Sequence, residues 1–187
     1  MNCNSVTTLK LFNTREDLIL SMPPGCVVAE IGVFRGKNAE VILHSRPKEL
    51  HLIDSWAKQT GPYAIDPVNE KDLEEAYKSV REKFSVYPWV KVVRAWSLEA
   101  AKGYADEYFD WIYLDGDHTF DAVRADLEAW WPKVKSGGCL FGHDYVAGEK
   151  YPWIEVKPAV DWFINKYRLD LAFLTMKDEY LSYGIRK

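Results

Sequence analysis

The feature that most constrains the fold is a regular alternation of short apolar runs with longer segments of helical character. Five runs rich in Val, Ile, Leu and aromatic residues recur along the chain, and their sequences are CVVAEIG (26–32), ELHLID (49–54), WVKVVRA (89–95), FDWIYLD (109–115) and GGCLFGHD (137–144). Strands buried on both faces give continuous apolar runs, and parallel strands need helical crossovers. The order therefore predicts a doubly wound α/β fold, with a parallel sheet covered by helices on both faces.

The C-terminal part departs from strict alternation. The runs LDLAFLTM (169–176) and EYLSYGIRK (179–187) predict two final strands joined by a short turn at Lys177 and Asp178. A hairpin of this kind places one antiparallel strand in an otherwise parallel sheet. Before it, apolar residues at helical spacing after Thr119 predict a helix that stops at Gly137.

The length and charge of the chain limit its number of domains and the kinds of partner it can bind. Its 187 residues fit one domain, 1–187, in which we expect a helical N-terminal extension over 1–23. With 24 Lys and Arg against 28 Asp and Glu, and no basic stripe, nucleic acid is not an expected partner. No apolar run is long enough to span a bilayer, and the first residues lack the pattern of a secretory signal, so we expect no membrane association and a cytoplasmic location.

Two irregular stretches follow the second and the fifth apolar runs, over 55–69 and 145–157. Because ligands of open α/β sheets bind beyond the carboxyl ends of the strands, both stretches are candidate lid loops. Four aromatic residues within them are candidates either for a wall around a planar or sugar substrate or for packing of the surface loops: Trp56, Tyr63, Tyr151 and Trp153.

The turn after the first run carries the first sign of a ligand. Glu30 ends the run, and Gly32 and Gly36 follow it before a helix begins. Glycines here let the backbone turn sharply near a ligand, and the start of the helix offers unpaired N–H groups. A dinucleotide motif needs a second glycine where Phe34 stands, whereas Asp54, at the end of the second run, suits a ribose diol. These residues together favour a ligand that contains a nucleoside but no pyrophosphate.

The chain resembles the class I S-adenosylmethionine (SAM) dependent methyltransferases, and most closely the small single-domain group called methyltransferase family 24. The resemblance covers residues from about 24 to the C-terminus, and four motifs carry it in order: EIGVFRGKNAEV, HLIDSW, YLDGDHTFDAVRADLEAWWPKVKSGG and GHDY. It implies a Rossmann-like sheet of seven strands in the order 3-2-1-4-5-7-6, with the seventh strand antiparallel.

The resemblance also implies roles for single residues. It places Glu30, Gly32 and Gly36 around the methionine part of SAM, and it assigns the ribose hydroxyls to Asp54. It places Trp96 and Ser97 against the adenine and Asp115 beside the ligand. An aromatic face suits a purine, and acidic surroundings suit a sulfonium.

A cluster of titratable residues follows the fourth and fifth runs. Asp115, Asp117 and His118 come after the fourth run, and His143 and Asp144 come after the fifth. Neighbouring strands lie only about 4.8 Å apart, and parallel strands end at the same edge of a sheet. The two sets are therefore expected to share one site.

One use of this cluster is to bind a metal. The arrangement is similar to metal-dependent O-methyltransferases, which implies that Asp115, His143 and Asp144 hold a divalent ion such as Mg²⁺ or Mn²⁺. Such an ion would lower the pKa of a coordinated substrate hydroxyl. Those enzymes carry an oxygen ligand where this chain has His143, so His143 either shifts the preference towards a transition metal or is no ligand.

The other use is general-base catalysis without a metal. In this case His118, which lies near Asp115 in the sequence, removes the proton from the acceptor substrate.

We therefore expect a SAM-dependent methyltransferase acting on a small molecule, more readily at a hydroxyl oxygen than at nitrogen. The alternatives are a non-catalytic SAM-binding or interaction domain and, with less support, a nicotinamide-dependent oxidoreductase. The sequence specifies neither the acceptor nor the oligomeric state, and a homodimer is one alternative for the latter.

Overall fold

The computed structural model describes residues 8–58, 69–147, 150 and 152–187. Within these residues there are eight strands: β1 (Lys10–Phe12), β2 (Val27–Ile31), β3 (Glu49–Asp54), β4 (Val90–Arg94), β5 (Phe109–Leu114), β6 (Val134–Gly142), β7 (Leu171–Thr175) and β8 (Tyr183–Arg186). The helices are α1 (Arg15–Leu20), α2 (Lys37–His44), α3 (Glu70–Phe84), α4 (Ser97–Lys102), α5 (Phe120–Trp130) and α6 (Val156–Tyr167). None of the described helices is both long and apolar enough to cross a membrane.

The strands form a single sheet in the order β1-β7-β8-β6-β5-β2-β3-β4. β8 runs antiparallel to both of its neighbours, and the other strand pairs are parallel. Counting β2 to β8 as strands one to seven gives the predicted order 3-2-1-4-5-7-6. The predicted fold class and the antiparallel seventh strand are confirmed.

β1 is the difference from the predicted sheet. The segment 1–23 was expected to be helical, but Lys10–Phe12 pairs in parallel with β7 at the edge of the sheet, and only then does α1 begin. A strand of three residues that pairs on one side is too short for its periodicity to stand out. The sheet therefore has eight described strands where seven were expected.

Helices cover both faces of the sheet, as predicted. Alternate strand residues point to opposite faces, so Val28 and Ala29 of β2 lie in different core clusters. On one face α1, α2 and α3 contribute Leu18, Ile19, Ala39, Ile42, Ala76, Val80 and Phe84. On the other face α4, α5 and α6 contribute Ala100, Ala101, Val123, Leu127, Trp130, Ala159, Val160 and Phe163.

The end of α5 lies earlier than the sequence predicts. The α-helix ends at Trp130 and continues as a single 3₁₀ turn over Trp131–Lys133. Pro132 has no N–H group with which to continue the α-helical hydrogen bonds. β6 consequently begins at Val134, and Gly137 lies inside this strand instead of ending a helix.

Candidate functional site

Charged residues gather where β2, β3, β5 and β6 end, at the carboxyl edge of the sheet. The structure brings together Glu30, Asp54, Asp115, His118, His143 and Asp144 at this edge. We call the groups that follow β2 and β3 the β2–β3 half, and those that follow β5 and β6 the β5–β6 half. Parallel strands place both halves side by side, in the crevice where ligands of open α/β sheets bind.

In the β5–β6 half, the segments after the two strands are joined directly. The His143 backbone N–H donates to the carbonyl of Leu114 over 3.1 Å. The His143 Nδ1 atom then lies 3.1 Å from Asp144 Oδ2 and 3.7 Å from Asp115 Oδ1. The proximity expected from parallel strands is therefore present in the structure.

His118 completes this half from the segment before α5. Its Nε2 atom lies 3.1 Å from Asp144 Oδ2, so one carboxylate oxygen faces both imidazoles. The His118 backbone is held by Glu155, whose N–H donates to the His118 carbonyl over 2.8 Å. The Glu155 side chain also accepts the N–H of Phe120, the first residue of α5, over 2.9 Å. The segment before α6 thus fixes His118 in place.

The charges of this half shift the pKa values of its members. Burial raises the pKa of Asp144, but hydrogen bonds from His118 and His143 outweigh it and hold the pKa well below its usual range. Burial lowers the pKa of His118, yet its hydrogen bond to Asp144 leaves that pKa raised. Burial raises the pKa of Asp115, against the nearby charge of His143. The carboxylate of Asp144 and the charged form of His118 thus stabilise each other.

The same groups offer ligand atoms for a metal. Asp115, His118 and Asp144 each present one ligand atom, and these atoms lie within 4.8 Å of one another. His118 thus replaces His143 in the predicted set of metal ligands. Two carboxylates with one imidazole suit Mn²⁺ or another transition ion better than Mg²⁺, which prefers oxygen ligands.

In the β2–β3 half, Glu30 is buried at the end of β2 with 1% of its surface exposed. Its Oε1 atom accepts a 2.9 Å hydrogen bond from Asn38 Nδ2. Glu30 Oε2 and Asn38 Oδ1 are buried and have no partner among the described residues. Burial is the main cause that raises the pKa of Glu30 to about 8. Unpaired buried polar atoms are costly, so this pair is a candidate contact for a polar ligand.

Asp54 is held by backbone groups. Its Oδ2 atom accepts N–H bonds from Val33 and Phe34, each 2.8 Å long, and its Oδ1 atom accepts one from Trp56 over 2.7 Å. A carboxylate has about four acceptor positions, so Asp54 retains room for a ligand hydroxyl while it orders two turns. Both Phe34 and Trp56 have positive φ values, 47° and 41°, which are uncommon for residues with a side chain.

The two glycines of the first turn are required by contacts within the protein. Gly32 has φ of +88°, and a Cβ atom there would lie 2.0 Å from the Asp115 carbonyl oxygen. Gly36 has φ of +73° and precedes α2, where a Cβ atom would lie 2.9 Å from the Phe84 ring. Gly32 is therefore one point at which the two halves touch. Close approach of these glycines to a ligand stays a prediction.

The two residues predicted to contact the adenine, Trp96 and Ser97, differ in their surroundings. Trp96 is 51% exposed. Ser97 donates from Oγ to Asp126 Oδ1 over 2.5 Å and accepts from Trp130 Nε1 over 2.8 Å. Burial raises the pKa of Asp126 to about 6. Ser97 thus links α4 to α5, whereas the neighbouring Trp96 side chain is exposed to solvent.

The predicted lid loops are described only in part. Residues 59–68, with Tyr63, and residues 148, 149 and 151, with Tyr151, lie outside the described residues. Trp56 is 1% exposed and packs on Tyr77 in the core, so the expectation that it lines a substrate wall is wrong. Its side chain is held inside by a hydrogen bond from Nε1 to the Phe34 carbonyl. Trp153 is 45% exposed.

Arg15 is a residue of this site that no sequence pattern indicates. This first residue of α1 places Nη1 3.5 Å from Asp115 Oδ2, across a separation of 100 residues. Burial lowers the pKa of Arg15, but Tyr113, Asp115 and Glu30 outweigh it and raise that pKa. No local pattern marks an arginine for such a position. Only the docking of β1 and α1 on the sheet reveals it.

The sheet order and the polar edge define a class I SAM-dependent methyltransferase fold. The family described as methyltransferase domain, family 24, matches residues 29–145, which is more than half of the chain. The chain therefore belongs to this family. It has no significant match among curated proteins.

Solved structures support the fold. A proposed methyltransferase from Streptococcus mutans, in complex with SAH (S-adenosylhomocysteine), is 14% identical with a TM-score of 0.62, over 92% of this chain and 94% of that one. The N-methyltransferase NodS from Bradyrhizobium japonicum is 15% identical with a TM-score of 0.62, over 92% and 94%. A proposed caffeoyl-CoA O-methyltransferase from Staphylococcus aureus is 15% identical with a TM-score of 0.60, over 87% and 77%. At these identities the likeness concerns the fold alone.

Proposed function

We propose that the protein transfers a methyl group from SAM to a hydroxyl oxygen of a small molecule. The observation that carries the proposal is the contact of His118 with Asp144 at 3.1 Å, on the edge of a SAM-dependent methyltransferase fold. A histidine oriented by a carboxylate at a ligand-binding edge is a common form of general base. The rest of the site is consistent with this role.

The β2–β3 half fits SAM in its polar groups. Glu30 Oε2 and Asn38 Oδ1 supply buried atoms that await partners, and they suit the ammonium group of a methionine chain. Asp54 retains acceptor positions for the ribose hydroxyls, and Trp96 offers an exposed ring for the adenine. Gly32 and Gly36 let the first turn pack closely against Asp115 and Phe84 in this region.

When bound, SAM supplies an electrophilic methyl carbon whose bond to sulfur breaks as the acceptor oxygen attacks, leaving SAH. The protein must then align the acceptor and take its proton. His118 Nδ1 is the proposed proton acceptor, because Nε2 faces Asp144, which would stabilise the resulting imidazolium. Because the pKa of His118 is raised, the neutral base forms only as the pH rises through that pKa, and turnover should increase accordingly.

A divalent ion is a second candidate participant, favoured by the ligand atoms of Asp115, His118 and Asp144. These residues would hold it, with His143 as a neighbour, and the ion would lower the pKa of the acceptor hydroxyl. In that case His118 is a ligand and cannot also be the free base. Turnover with EDTA, with Mn²⁺ and with Mg²⁺ separates the two roles.

Titration calorimetry with SAH and with NAD tests the cofactor. Micromolar binding of SAH without binding of NAD is expected, and undetectable SAH binding would overturn the proposal. A panel of phenols, sugars and amines with labelled SAM then tests the acceptor. Methylated amines alone would replace oxygen by nitrogen as the target. SAH binding with no product on any acceptor would favour a non-catalytic binding domain.

A further inference from the structure

The guanidinium of Arg15 reaches an edge of the sheet that is otherwise crowded with carboxylates. The acidic residues there are Glu30, Asp54, Asp115, Asp117 and Asp144. Arg15 lies 3.5 Å from Asp115, longer than the roughly 2.7–2.9 Å of a strong charge-assisted hydrogen bond. Its side chain also interacts with Tyr113 and is 29% exposed, so part of it is accessible to solvent. The pairing with Asp115 therefore leaves donors for a ligand.

The helix that carries Arg15, α1, is held firmly against the rest of the protein. Thr14 and Asp17 form a capping box at the start of α1, and Leu18 and Ile19 are buried in the core. The Arg15 backbone N–H donates to Asp178 Oδ2 over 2.7 Å. The guanidinium is thus presented by a docked helix, at low cost in chain entropy when it binds a ligand.

Two other arginines near this edge have different partners. Arg35 lies over the ring of Phe34 at 5.0 Å. Arg94 donates to Glu74 on α3 and to the carbonyls of Ser55 and Trp56. Arg15 differs from both because it lies against Asp115, with the charges of Tyr113 and the buried Glu30 nearby.

The methionine end of SAM carries an ammonium and a carboxylate. The β2–β3 half supplies acceptors for the ammonium, but a ligand carboxylate among five acidic side chains requires a cation. A guanidinium has five N–H donors in a planar fork, enough to serve two carboxylates at once. Resting on the proposed function, we infer that Arg15 binds the α-carboxylate of SAM and SAH, in a bridge between that carboxylate and Asp115.

The test compares SAH with decarboxylated SAH, which lacks only the carboxylate, by titration calorimetry on the full chain. Arg15→Gln should raise the dissociation constant of SAH by about tenfold to hundredfold. The same variant should bind decarboxylated SAH within about twofold of the wild type. Arg15→Lys keeps the charge but not the fork, so its SAH affinity should lie between those of Arg15→Gln and the wild type.

Arg35→Gln is the matched control, and it should bind both ligands as the wild type does. Equal losses of SAH and decarboxylated SAH in Arg15→Gln would overturn the inference, as would a carboxylate-specific loss in Arg35→Gln. So would a gain of Mn²⁺ binding in Arg15→Gln without loss of SAH, since Arg15 would then only balance the charge of Asp115. If the wild type binds no SAH, the proposed function itself has failed.

Discussion

The two halves of the strand-end edge hold their carboxylates in different ways. Asp54, in the β2–β3 half, accepts hydrogen bonds from three backbone N–H groups. Asp144, in the β5–β6 half, lies between the imidazoles of His118 and His143. Backbone N–H groups keep their protons at every ordinary pH, whereas imidazoles titrate near neutrality. We therefore expect ligand binding in the first half to be independent of pH and proton transfer to take place in the second half.

The largest effect is expected where the halves touch, from Gly32→Ala. The new Cβ atom would lie 2.0 Å from the Asp115 carbonyl oxygen, on a backbone with φ of +88°. Both loops must shift, so we expect the free energy of unfolding to fall by about 3 kcal/mol or more, and SAH binding to be lost. Chemical denaturation and calorimetry measure the two effects.

Gly25→Ala is the control for this change. Gly25 also has a positive φ, +81°, but its Cβ atom would meet no described atom within 4 Å. Only backbone strain of about 1 kcal/mol is expected, with SAH binding retained. Equal losses at both glycines would mean that the contact between the halves does not matter.

A smaller effect on SAH binding is expected from the removal of the Asp54 carboxylate, which accepts the three backbone N–H bonds. Asp54→Asn should raise the dissociation constant of SAH by about tenfold to hundredfold. Asp110 is a matched control because it accepts the Val27 N–H over 2.7 Å at the opposite edge of the sheet. Asp110→Asn should lower stability but leave SAH affinity within about twofold. If both variants lose affinity equally, the β2–β3 half has no special role in recognition.

A pH titration examines the other half. Asp144→Asn removes the main partner of His118, so the pKa of His118 should fall, as followed by NMR of the imidazole protons. Asp121→Asn, on the exposed face of α5, should leave it unchanged. A His118 pKa unaltered by Asp144→Asn would contradict the pairing.

The same pair has a predictable pH window for stability. The lowered pKa of Asp144 stabilises the fold above its ordinary value of 3.8, and this contribution is lost as the pH falls. The raised pKa of His118 stabilises it below 6.5, and this contribution is lost as the pH rises. The stability difference between wild type and Asp144→Asn should therefore be largest between about pH 4 and 6.5.

The smallest effect is expected from Glu30→Gln near pH 5, because glutamine closely matches the protonated glutamate. There we expect the free energy of unfolding to change by less than about 1 kcal/mol. Since the native pKa of Glu30 is about 8 and its ordinary value is 4.5, the wild type loses stability as the pH rises between them. Denaturation at pH 5 and pH 8 should show the variant gaining relative to the wild type. A difference independent of pH would show that Glu30 is not held neutral.

The sequence predicts the sheet well because continuous apolar runs identify β2, β3, β5 and β6, and crossovers make them parallel. That topology also places Asp115 beside His143 and Asp144. It does not predict β1, whose pairing involves three residues, or the early end of α5 at Pro132. The contact of Arg15 with Asp115 is equally hidden, since 100 residues separate them and no periodicity links them.

The pairing of β1 with β7 bears on the order of folding. Lys10 pairs with Phe173, and the Arg15 N–H bonds to Asp178 across 163 residues. Contacts so distant along the chain lose closure entropy before they gain contact energy, so we expect β1 and α1 to dock after the central strands have assembled. A folding intermediate without docked α1 would then have the carboxylates of the strand-end edge in place but not Arg15. It would bind the zwitterionic methionine end of SAH weakly. The rate at which tight SAH binding develops during refolding would therefore report the docking of β1 and α1.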